Sequence, residues 1–273
     1  MIQTLSPAQL TGYFGRIGYT GTRTATSDAL HALHRLHPQA IPFANVDSLL
    51  GQTPSLDLDA VFNKLVDARR GGYCYEHNLL FRAVLDTLGF ETTGLAARVL
   101  WNNDLVMPPR PHMMLLVETR EETWLADIGF GSMTLSAPLA FEPGREQSTP
   151  HEPFRIDLID RGDYMLRVKL GGVWTPIYRF DLEPQFPADY VMGNHYMSTF
   201  PASIFVNHLV VARLAAGARH TLLDRTLTTR GVTETQRQLA TTAEVRDALR
   251  DVFGLALPES GGAFDTVLER LGH

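Results

Sequence analysis

The spacing of apolar residues changes near residue 90, and this change restricts the chain to a mixed α+β fold. Before residue 90, apolar side chains recur at helical spacing in four segments, 7–17, 27–37, 58–66 and 75–88. After it, apolar segments are short, rich in β-branched and aromatic residues, and separated by turn signals such as Gly171-Gly172. The predicted strands are 93–100, 112–119, 123–128, 154–159, 164–170 and 173–179. We therefore expect helices first and an antiparallel sheet or barrel second.

The C-terminal part of the sequence combines both patterns. Segments 204–213 and 219–223 read as strands, whereas 242–253 has the spacing of a helix. Segment 134–153 is rich in proline and has no clear period, so we expect a long loop there.

Composition excludes several classes of protein. The 273 residues carry a formal charge of −6, without the basic excess typical of nucleic-acid binding. No apolar run reaches the roughly 20 residues needed to span a bilayer, and the N-terminus does not resemble a secretory signal. The single cysteine excludes an internal disulfide and a zinc site with several cysteines. We expect a cytoplasmic protein, because that compartment keeps thiols reduced.

Cys74 lies where a turn passes into a predicted helix. It belongs to the segment RRGGYCYEHN (69–78), in which two glycines precede the cysteine and a helical pattern follows. Unpaired backbone N–H groups and the helix dipole both place positive charge at the start of a helix. Both effects favour the thiolate, the form of cysteine that attacks an electrophile. The alternative is an inert buried thiol, which is what most single cysteines are.

A base and a carboxylate for this thiol lie on two predicted strands. His112 opens the strand in PHMMLLV (111–117), and Asp127 follows the strand in WLADIGFG (124–131). Neighbouring strands would set the two side chains together, with the Cys74 helix end packed across them. In such a triad the carboxylate orients the imidazole and the imidazole takes the thiol proton. Considered alone, His112 is equally compatible with a core histidine and Asp127 with a turn residue.

Other histidines are weaker candidates. His77 follows Cys74 by three residues on a neighbouring helical face, and we expect it to pack locally. His31, His34 and His37 recur every three residues, whereas a metal site would need a spacing of four or an added carboxylate. We therefore expect them on a solvated helix face and expect no bound metal.

Three of these segments, RGGYCYEHN, PHMMLLV and WLADIGFG, resemble in order and spacing the active-site motifs of the arylamine N-acetyltransferase family. Further similarity lies in IPFANVD (41–47), NHYMSTF (194–200) and SIF (203–205). The resemblance covers nearly the whole chain, and the cysteine motif is its most specific part.

The resemblance implies an α+β fold with a papain-like Cys-His-Asp arrangement. It implies a helical bundle over 1–90 that carries the nucleophile, a central antiparallel β-barrel over 91–195, and a C-terminal α/β lid over 196–273. The implied activity is transfer of an acetyl group from acetyl-CoA to the nitrogen of arylamines, arylhydrazines or related aromatic acceptors. The implied mechanism is ping-pong, through an acetyl-cysteine. The implied partners are these small molecules, and neither a nucleic acid nor a membrane.

The resemblance also assigns roles to individual residues. The catalytic residues would be Cys74 as nucleophile, His112 as base and Asp127 as orienting carboxylate. The backbone N–H of Tyr75 directly follows the nucleophile and is the candidate oxyanion donor. The family's acceptor-pocket aromatics correspond to Phe43, Phe130 and Phe205.

Contacts to CoA are harder to predict. No phosphate-binding glycine motif is present in the sequence. Backbone without a Cβ allows close approach of a ligand, which makes Gly129, Gly131 and the adjacent Ser132 candidates. Arg213 and Arg230 are candidates for the 3′-phosphate.

The chain departs from the family pattern at Ala44. Family members usually have Pro-Phe-Glu-Asn here, and that glutamate is thought to pair with the arginine corresponding to Arg70. We expect Arg70 to use Asp47 or backbone carbonyls instead. The departure affects an ion pair and leaves the chemistry untouched.

Two other functions are compatible with the sequence. A cysteine hydrolase, either an amidase or a protease, would use the same triad with water as the acceptor. A non-catalytic protein that binds aromatic or CoA-like ligands would keep the fold without the reaction. The sequence leaves open the physiological acceptor, the range of acyl chains, and whether the protein is a monomer or a homodimer.

Overall fold

The computed structural model describes residues 4–103 and 107–271. In these ranges the helices are α1 (Pro7–Ile17), α2 (Ser27–Ala40), α3 (Val46–Leu49), α4 (Leu58–Phe62, continued by a π-helical turn over Asn63–Asp67), α5 (Cys74–Leu88), α6 (Pro187–Thr199), α7 (Ile204–Asn207), α8 (Thr242–Asp251) and α9 (Ala263–Arg270). The strands are β1 (Phe43–Ala44), β2 (Glu91–Val99), β3 (His112–Glu118), β4 (Thr123–Ala126), β5 (Leu139–Ala140), β6 (Glu146–Gln147), β7 (Phe154–Asp160), β8 (Asp163–Leu170), β9 (Val173–Phe180), β10 (Val210–Ala215), β11 (Ala218–Leu223), β12 (Thr226–Arg230) and β13 (Glu234–Gln238). The predicted α+β class is confirmed.

The strands form two antiparallel sheets. The larger has eight strands in the order β5-β4-β3-β2-β9-β8-β7-β6 and curls into a nearly closed barrel. The smaller has the order β1-β10-β11-β12-β13, so that β1, from the helical part of the chain, pairs with the C-terminal strands. Helix α5 packs against β2 and β3 of the barrel. These contacts bring the start of α5 to the edge of the barrel.

Local capping signals define the helices around the cysteine. Ser6 accepts a hydrogen bond from the Gln9 N–H at the start of α1, and α1 ends at Gly18 in the left-handed region. Helix α5 likewise ends at Gly89, whose φ is 89°. The bounds predicted for these two helices are therefore close to those observed.

The C-terminal part differs from the prediction. Segment 204–213 is not one strand, because Ser203 caps a short helix, α7, before β10 begins. Helix α6 has no counterpart among the predicted helices. It includes residues 195 and 196, between which the boundary of the barrel and the lid was expected. Its buried residues are Tyr190, Asn194 and Ser198, of which two are polar, so the usual apolar stripe is missing.

The prediction of a solvated histidine face on α2 is wrong. His34 and His37 are fully buried, and only His31 is partly exposed. The buried face of α2 includes Leu30 and Leu33, so His34 and His37 share that face with the leucines. Phe81 of α5 packs against both rings, and the Tyr13 hydroxyl of α1 bonds to His37, so this face is covered by protein.

None of the helices in the two described ranges is long and apolar enough to cross a membrane.

Candidate active site

Cys74 is the first residue of α5. The first helical hydrogen bond runs from the His77 N–H to the Tyr73 carbonyl at 3.1 Å. The N–H groups of Cys74, Tyr75 and Glu76 precede that bond and make the start of the helix electropositive. Cys74 is 5% exposed, and its Sγ lies 3.9 Å from the carbonyl oxygen of Pro111. Cys74 therefore contacts the residue before His112.

Two glycines allow the chain to reach this position. Gly71 has a φ of 71°, and a Cβ there would lie 2.7 Å from the Pro42 carbonyl oxygen. A Cβ on Gly72 would lie 2.8 Å from Oε2 of Glu76. That carboxylate accepts the Tyr73 N–H at 3.0 Å. The positive φ and the close approach to the Pro42 backbone thus require glycine at position 71, whereas Gly72 leaves room for the side chains of Glu76 and Leu65.

His112 and Asp127 lie at one edge of the barrel. Strands β3 and β4 are antiparallel, with Leu115 opposite Ala126, so the start of β3 lies beside the end of β4. His112 Nε2 donates to Oδ2 of Asp127 at 2.7 Å. The two side chains are 4% and 1% exposed. The structure therefore brings these two predicted site residues into direct contact.

The electrostatics of this pair favour an imidazolium. Burial alone would lower the pKa of His112. The charge and hydrogen bond of Asp127, with smaller contributions from the hydrogen bond and charge of Cys74, outweigh burial and raise the pKa of His112 to about 10. Burial also acts to raise the pKa of Asp127, but His112 outweighs it and the pKa is lowered. The carboxylate and the imidazolium thus stabilise each other.

Asp127 is held by more than His112. Its Oδ1 accepts the Gly129 N–H at 3.1 Å and the amide of Asn78 at 3.3 Å. Its own backbone N–H donates to Nε2 of His34 at 3.2 Å. Neither Asn78 nor His34 is among the site residues predicted from the sequence. Asn78 follows Cys74 by four residues and thus shares its helical face, a signal that could have identified it.

His77 belongs to a buried relay of hydrogen bonds. Its Nε2 donates to the carbonyls of Pro42 (3.2 Å) and Gly72 (3.1 Å). Carbonyls only accept, so the single ring proton of neutral His77 lies on Nε2 and its Nδ1 accepts from Nε2 of His37 at 2.9 Å. By the same argument, Nδ1 of His37 accepts from the Tyr13 hydroxyl at 2.8 Å. Burial lowers the pKa of His77 to about 4. The partners of His77 include His37 and Pro42, which lie 40 and 35 residues away in sequence.

The three predicted pocket phenylalanines lie in two places. The Phe130 ring stands edge-on to His112 with centroids 5.1 Å apart, and it is partly exposed. The rings of Phe43 and Phe205 pack together with centroids 5.7 Å apart, and the Phe205 ring also packs on Tyr73 with centroids 5.7 Å apart. A Cβ on Gly131 would lie 3.5 Å from the Phe43 ring, so the loop that follows Phe130 passes directly over Phe43.

Close approach at Gly129 has a structural reason. A Cβ there would lie 3.0 Å from Cα of Cys74 and 2.9 Å from Nδ2 of Asn78. Glycine therefore lets the loop after Asp127 pack against the start of α5. Gly131, with a φ of 88°, opens a turn closed by its hydrogen bond to Oγ1 of Thr134 at 2.8 Å. Ser132 lies in this turn and is partly exposed.

The two arginines considered for a phosphate already have protein partners. Arg213 donates to the backbone carbonyls of Gln39 (2.8 Å) and Val252 (3.0 Å). Arg230 pairs with Glu234 at 2.6 Å.

Arg70 pairs with a different carboxylate in place of the family's glutamate. It pairs with Asp47, and Asp47 also contacts Nζ of Lys64 at 2.8 Å. Lys64 in turn contacts Glu76 at 2.6 Å. Of the two expected kinds of partner, the structure shows Asp47.

Across residues 4–103 and 107–271, no group of three His, Cys, Asp or Glu side chains is arranged to hold a metal ion.

Comparison with known proteins identifies the family of this chain. A family model described as N-acetyltransferase matches residues 26–261. The arylamine N-acetyltransferase of Escherichia coli (strain K12) is 40% identical over 258 residues, covering 93% of this chain and 92% of that protein. The enzyme of the same name from Mycolicibacterium smegmatis is 41% identical over 260 residues, covering 93% and 94%. The chain belongs to the arylamine N-acetyltransferase family. It is an acyltransferase, and the resemblance of its motifs is confirmed.

Solved structures of this family share the fold. The Mycobacterium marinum arylamine N-acetyltransferase in complex with CoA superposes with a TM-score of 0.91 at 37% identity, covering 96% of this chain and 99% of that one. The Salmonella typhimurium enzyme gives a TM-score of 0.90 at 35% identity, covering 98% of each chain.

Proposed function

We propose that this chain transfers the acetyl group of acetyl-CoA to the nitrogen of an arylamine or arylhydrazine by a ping-pong mechanism through an acetyl-cysteine. The observation that carries the proposal is the contact of His112 with Asp127 at 2.7 Å, beside a thiol at the first residue of a helix. Membership of the family supports the acceptor class, and the CoA complex of the M. marinum relative supports the donor.

In the first stage the Cys74 thiolate attacks the thioester carbonyl of acetyl-CoA. Negative charge develops on the carbonyl oxygen, and the backbone N–H of Tyr75, which precedes the first helical hydrogen bond, is the proposed donor to it. The bond between the acetyl carbon and the CoA sulfur breaks as the bond to Cys74 sulfur remains. The departing CoA thiolate takes a proton from the His112 imidazolium. Acetyl-Cys74 and neutral His112 are left.

Loss of the thiolate prepares His112 for the second stage. Both the charge and the hydrogen bond of Cys74 help to hold the pKa of His112 high, so acetylation lowers that pKa and favours a neutral base. The amine nitrogen then attacks the acetyl group while His112 accepts its proton. Cleavage of the bond to sulfur returns the thiolate and the imidazolium, which closes the cycle.

We propose that Phe130, Phe43 and Phe205 hold the aromatic ring of the acceptor. Phe130 is the wall next to the base, since it contacts the His112 ring at 5.1 Å. Offset and edge-on ring contacts add about 0.5–1.5 kcal/mol beyond the burial of area. Phe130→Ala and Phe205→Ala should raise the KM for phenylhydrazine, whereas Phe141→Ala, which removes a ring packed on Tyr164 elsewhere in the barrel, should not. Unchanged KM values would remove these residues from the pocket.

We propose that CoA contacts the loop of Gly129, Gly131 and Ser132 through Ser132, which is partly exposed, because the N–H groups of Gly129 and Gly131 already donate to Asp127 and Thr134. A cytoplasmic location is proposed on the free thiol of Cys74, because thiols stay reduced in that compartment.

The acetyl-enzyme is the direct test of the mechanism. The protein is incubated with acetyl-CoA and no acceptor, digested, and analysed by mass spectrometry. We expect the peptide that contains Cys74 to gain the mass of one acetyl group, and phenylhydrazine to remove it with formation of acetylphenylhydrazine. Cys74→Ser is the matched control and should release no CoA.

Two results would contradict the proposal. An unmodified Cys74 peptide together with CoA release would show that transfer does not pass through the thiol. Release of acetate at one rate with and without the acceptor would show a hydrolase, with water as the acceptor.

A further inference from the structure

His34, on α2, reaches the orienting carboxylate residue through the backbone. Its Nε2 accepts the Asp127 N–H, with 3.2 Å between the two nitrogens. The side chain of His34 is fully buried, and its ring packs edge-on against Phe81 of α5 with centroids 5.9 Å apart. The imidazole is thus fixed between α5 and the end of β4.

The direction of this hydrogen bond determines the chemical form of His34. A backbone N–H only donates, so Nε2 must be unprotonated and the ring proton must lie on Nδ1. Burial is the largest influence on the ring and lowers the pKa of His34 to about 3, although the charge of Asp127 acts in the opposite direction. His34 is therefore a neutral acceptor at neutral pH.

Packing alone does not explain a histidine at this position. Nδ1 of His34 is buried without a hydrogen-bond partner among the described residues, which is unfavourable. An apolar side chain would avoid that loss but would leave the Asp127 N–H unpaired. The polar ring is thus retained at the one place where it satisfies the backbone of Asp127.

We propose that His34 is a positioning residue for acetyl transfer, because it fixes the backbone from which the Asp127 carboxylate reaches His112. The inference rests on the proposed function, since it gives His34 a part in the same reaction. His34 acts through Asp127. Release of the Asp127 N–H lets the backbone rotate and lengthens the 2.7 Å contact between Nε2 of His112 and Oδ2 of Asp127.

Three variants separate positioning from packing. His34→Leu removes the acceptor, His34→Gln offers Oε1 as an acceptor in place of Nε2, and His31→Leu is a control on the same helix. Two quantities are measured below the melting temperature of each variant. The first is kcat and KM for acetyl transfer to phenylhydrazine. The second is the downfield NMR signal of the His112 Nε2 proton, observed in protein with 15N-labelled histidine.

We expect His34→Leu to lower kcat by about 10- to 100-fold, as loss of an outer hydrogen bond does at metal-binding histidines, with the KM for acetyl-CoA unchanged. The His112 Nε2 proton signal should move upfield in the same variant. His34→Gln should restore both quantities, and His31→Leu should change neither. Should His34→Leu not fold, His34→Met, with only a weak sulfur acceptor, replaces it.

The proposal is overturned if His34→Leu keeps the wild-type kcat and NMR signal, or if folded His34→Gln behaves like His34→Leu. If the unaltered protein transfers no acetyl group, the proposed function fails. The NMR signal alone then decides whether His34 holds Asp127 in place.

Discussion

Four histidines are buried in the described part of the chain, and they divide into two groups with opposite electrostatics. His34, His37 and His77 lie in the helical part, where burial dominates and lowers their pKa values. His112 is equally buried, yet its pKa is raised to about 10. The difference is the partner, since the first group bonds to a hydroxyl, to backbone groups and to other imidazoles, whereas His112 bonds to the Asp127 carboxylate.

This comparison shows that burial does not by itself determine whether a histidine is charged. A neutral imidazole both donates and accepts, so it can link groups through hydrogen bonds without carrying a charge. Among the three neutral histidines, His77 supports the backbone around the cysteine, because it donates to the carbonyls of Pro42 and Gly72. The charged imidazole lies beside the thiol, where the proposed reaction needs a proton donor and acceptor.

The largest expected effect comes from removing the charge that distinguishes His112. Asp127→Asn keeps the shape of the side chain but loses the negative charge, so the pKa of His112 should no longer be raised. The equivalent change in a serine protease triad lowers kcat about 10⁴-fold, and we expect a loss of that order in acetyl transfer. Steady-state kinetics with acetyl-CoA and phenylhydrazine measures it.

Asp86→Asn is the control for this variant. Asp86 lies on the same helix as Cys74 and bonds to Thr92 at 2.6 Å, so its kcat should stay close to that of the unaltered protein. An Asp127→Asn variant that kept most of the wild-type kcat would show that the Asp127 carboxylate is not needed for acetyl transfer.

The neutral buried histidines should make the free energy of unfolding depend on pH in the acid range. The pKa of His77 is about 4 in the folded state and about 6.5 in an unfolded chain. Between these values the unfolded chain binds more protons, so the free energy of unfolding falls as pH decreases from 6.5 towards 4. The contribution of His77 to this fall is about 3 kcal/mol at most. Urea denaturation at several pH values measures it.

His77→Gln tests this assignment. Glutamine keeps one acceptor for His37 and one donor for the carbonyls, but it does not titrate. The variant should lose less stability on acidification than the unaltered protein. His31→Gln, on the partly exposed position of α2, should follow the unaltered protein. If His77→Gln and the unaltered protein lost the same free energy of unfolding on acidification, His77 would not be the source of the acid sensitivity.

The smallest expected effect concerns the ion pair that replaces the family's glutamate. Asp47 already pairs with Arg70 and Lys64, and the Arg70 side chain is 41% exposed, so solvent screens the interaction. We expect Ala44→Glu not to raise the melting temperature. Asp47→Asn should lower the free energy of unfolding by about 1–2 kcal/mol, measured by denaturant titration. A clear rise in melting temperature for Ala44→Glu would mean that Asp47 is an incomplete substitute.

The features predictable from sequence were those set by local chemistry. The bounds of α1 and α5 follow from a serine cap and from glycines in the left-handed region, which neighbouring residues determine. The contact of His112 with Asp127 follows from two strands that are adjacent in sequence, since such strands usually pair.

The features missed depend on distant parts of the chain. His34 and His37 are buried by distant residues: Phe81 of α5 contacts both rings, and the Asp127 backbone and the Tyr13 hydroxyl bond to His34 and His37 respectively. The hydrogen bond from the Asp127 N–H to His34 joins residues 93 apart. Helix α6 was missed because Asn194 and Ser198 occupy its buried face, where a pattern search expects apolar side chains.

The charge state of His112 tests the central claim most directly. The shifts of both ring nitrogens of 15N-labelled His112 are followed from neutral to alkaline pH, before and after acetylation of Cys74. We expect both nitrogens to be protonated at neutral pH in the free enzyme, with a titration near pH 10, and we expect acetylation to lower this pKa. A His112 ring that is already neutral at pH 7 before acetylation would contradict this claim.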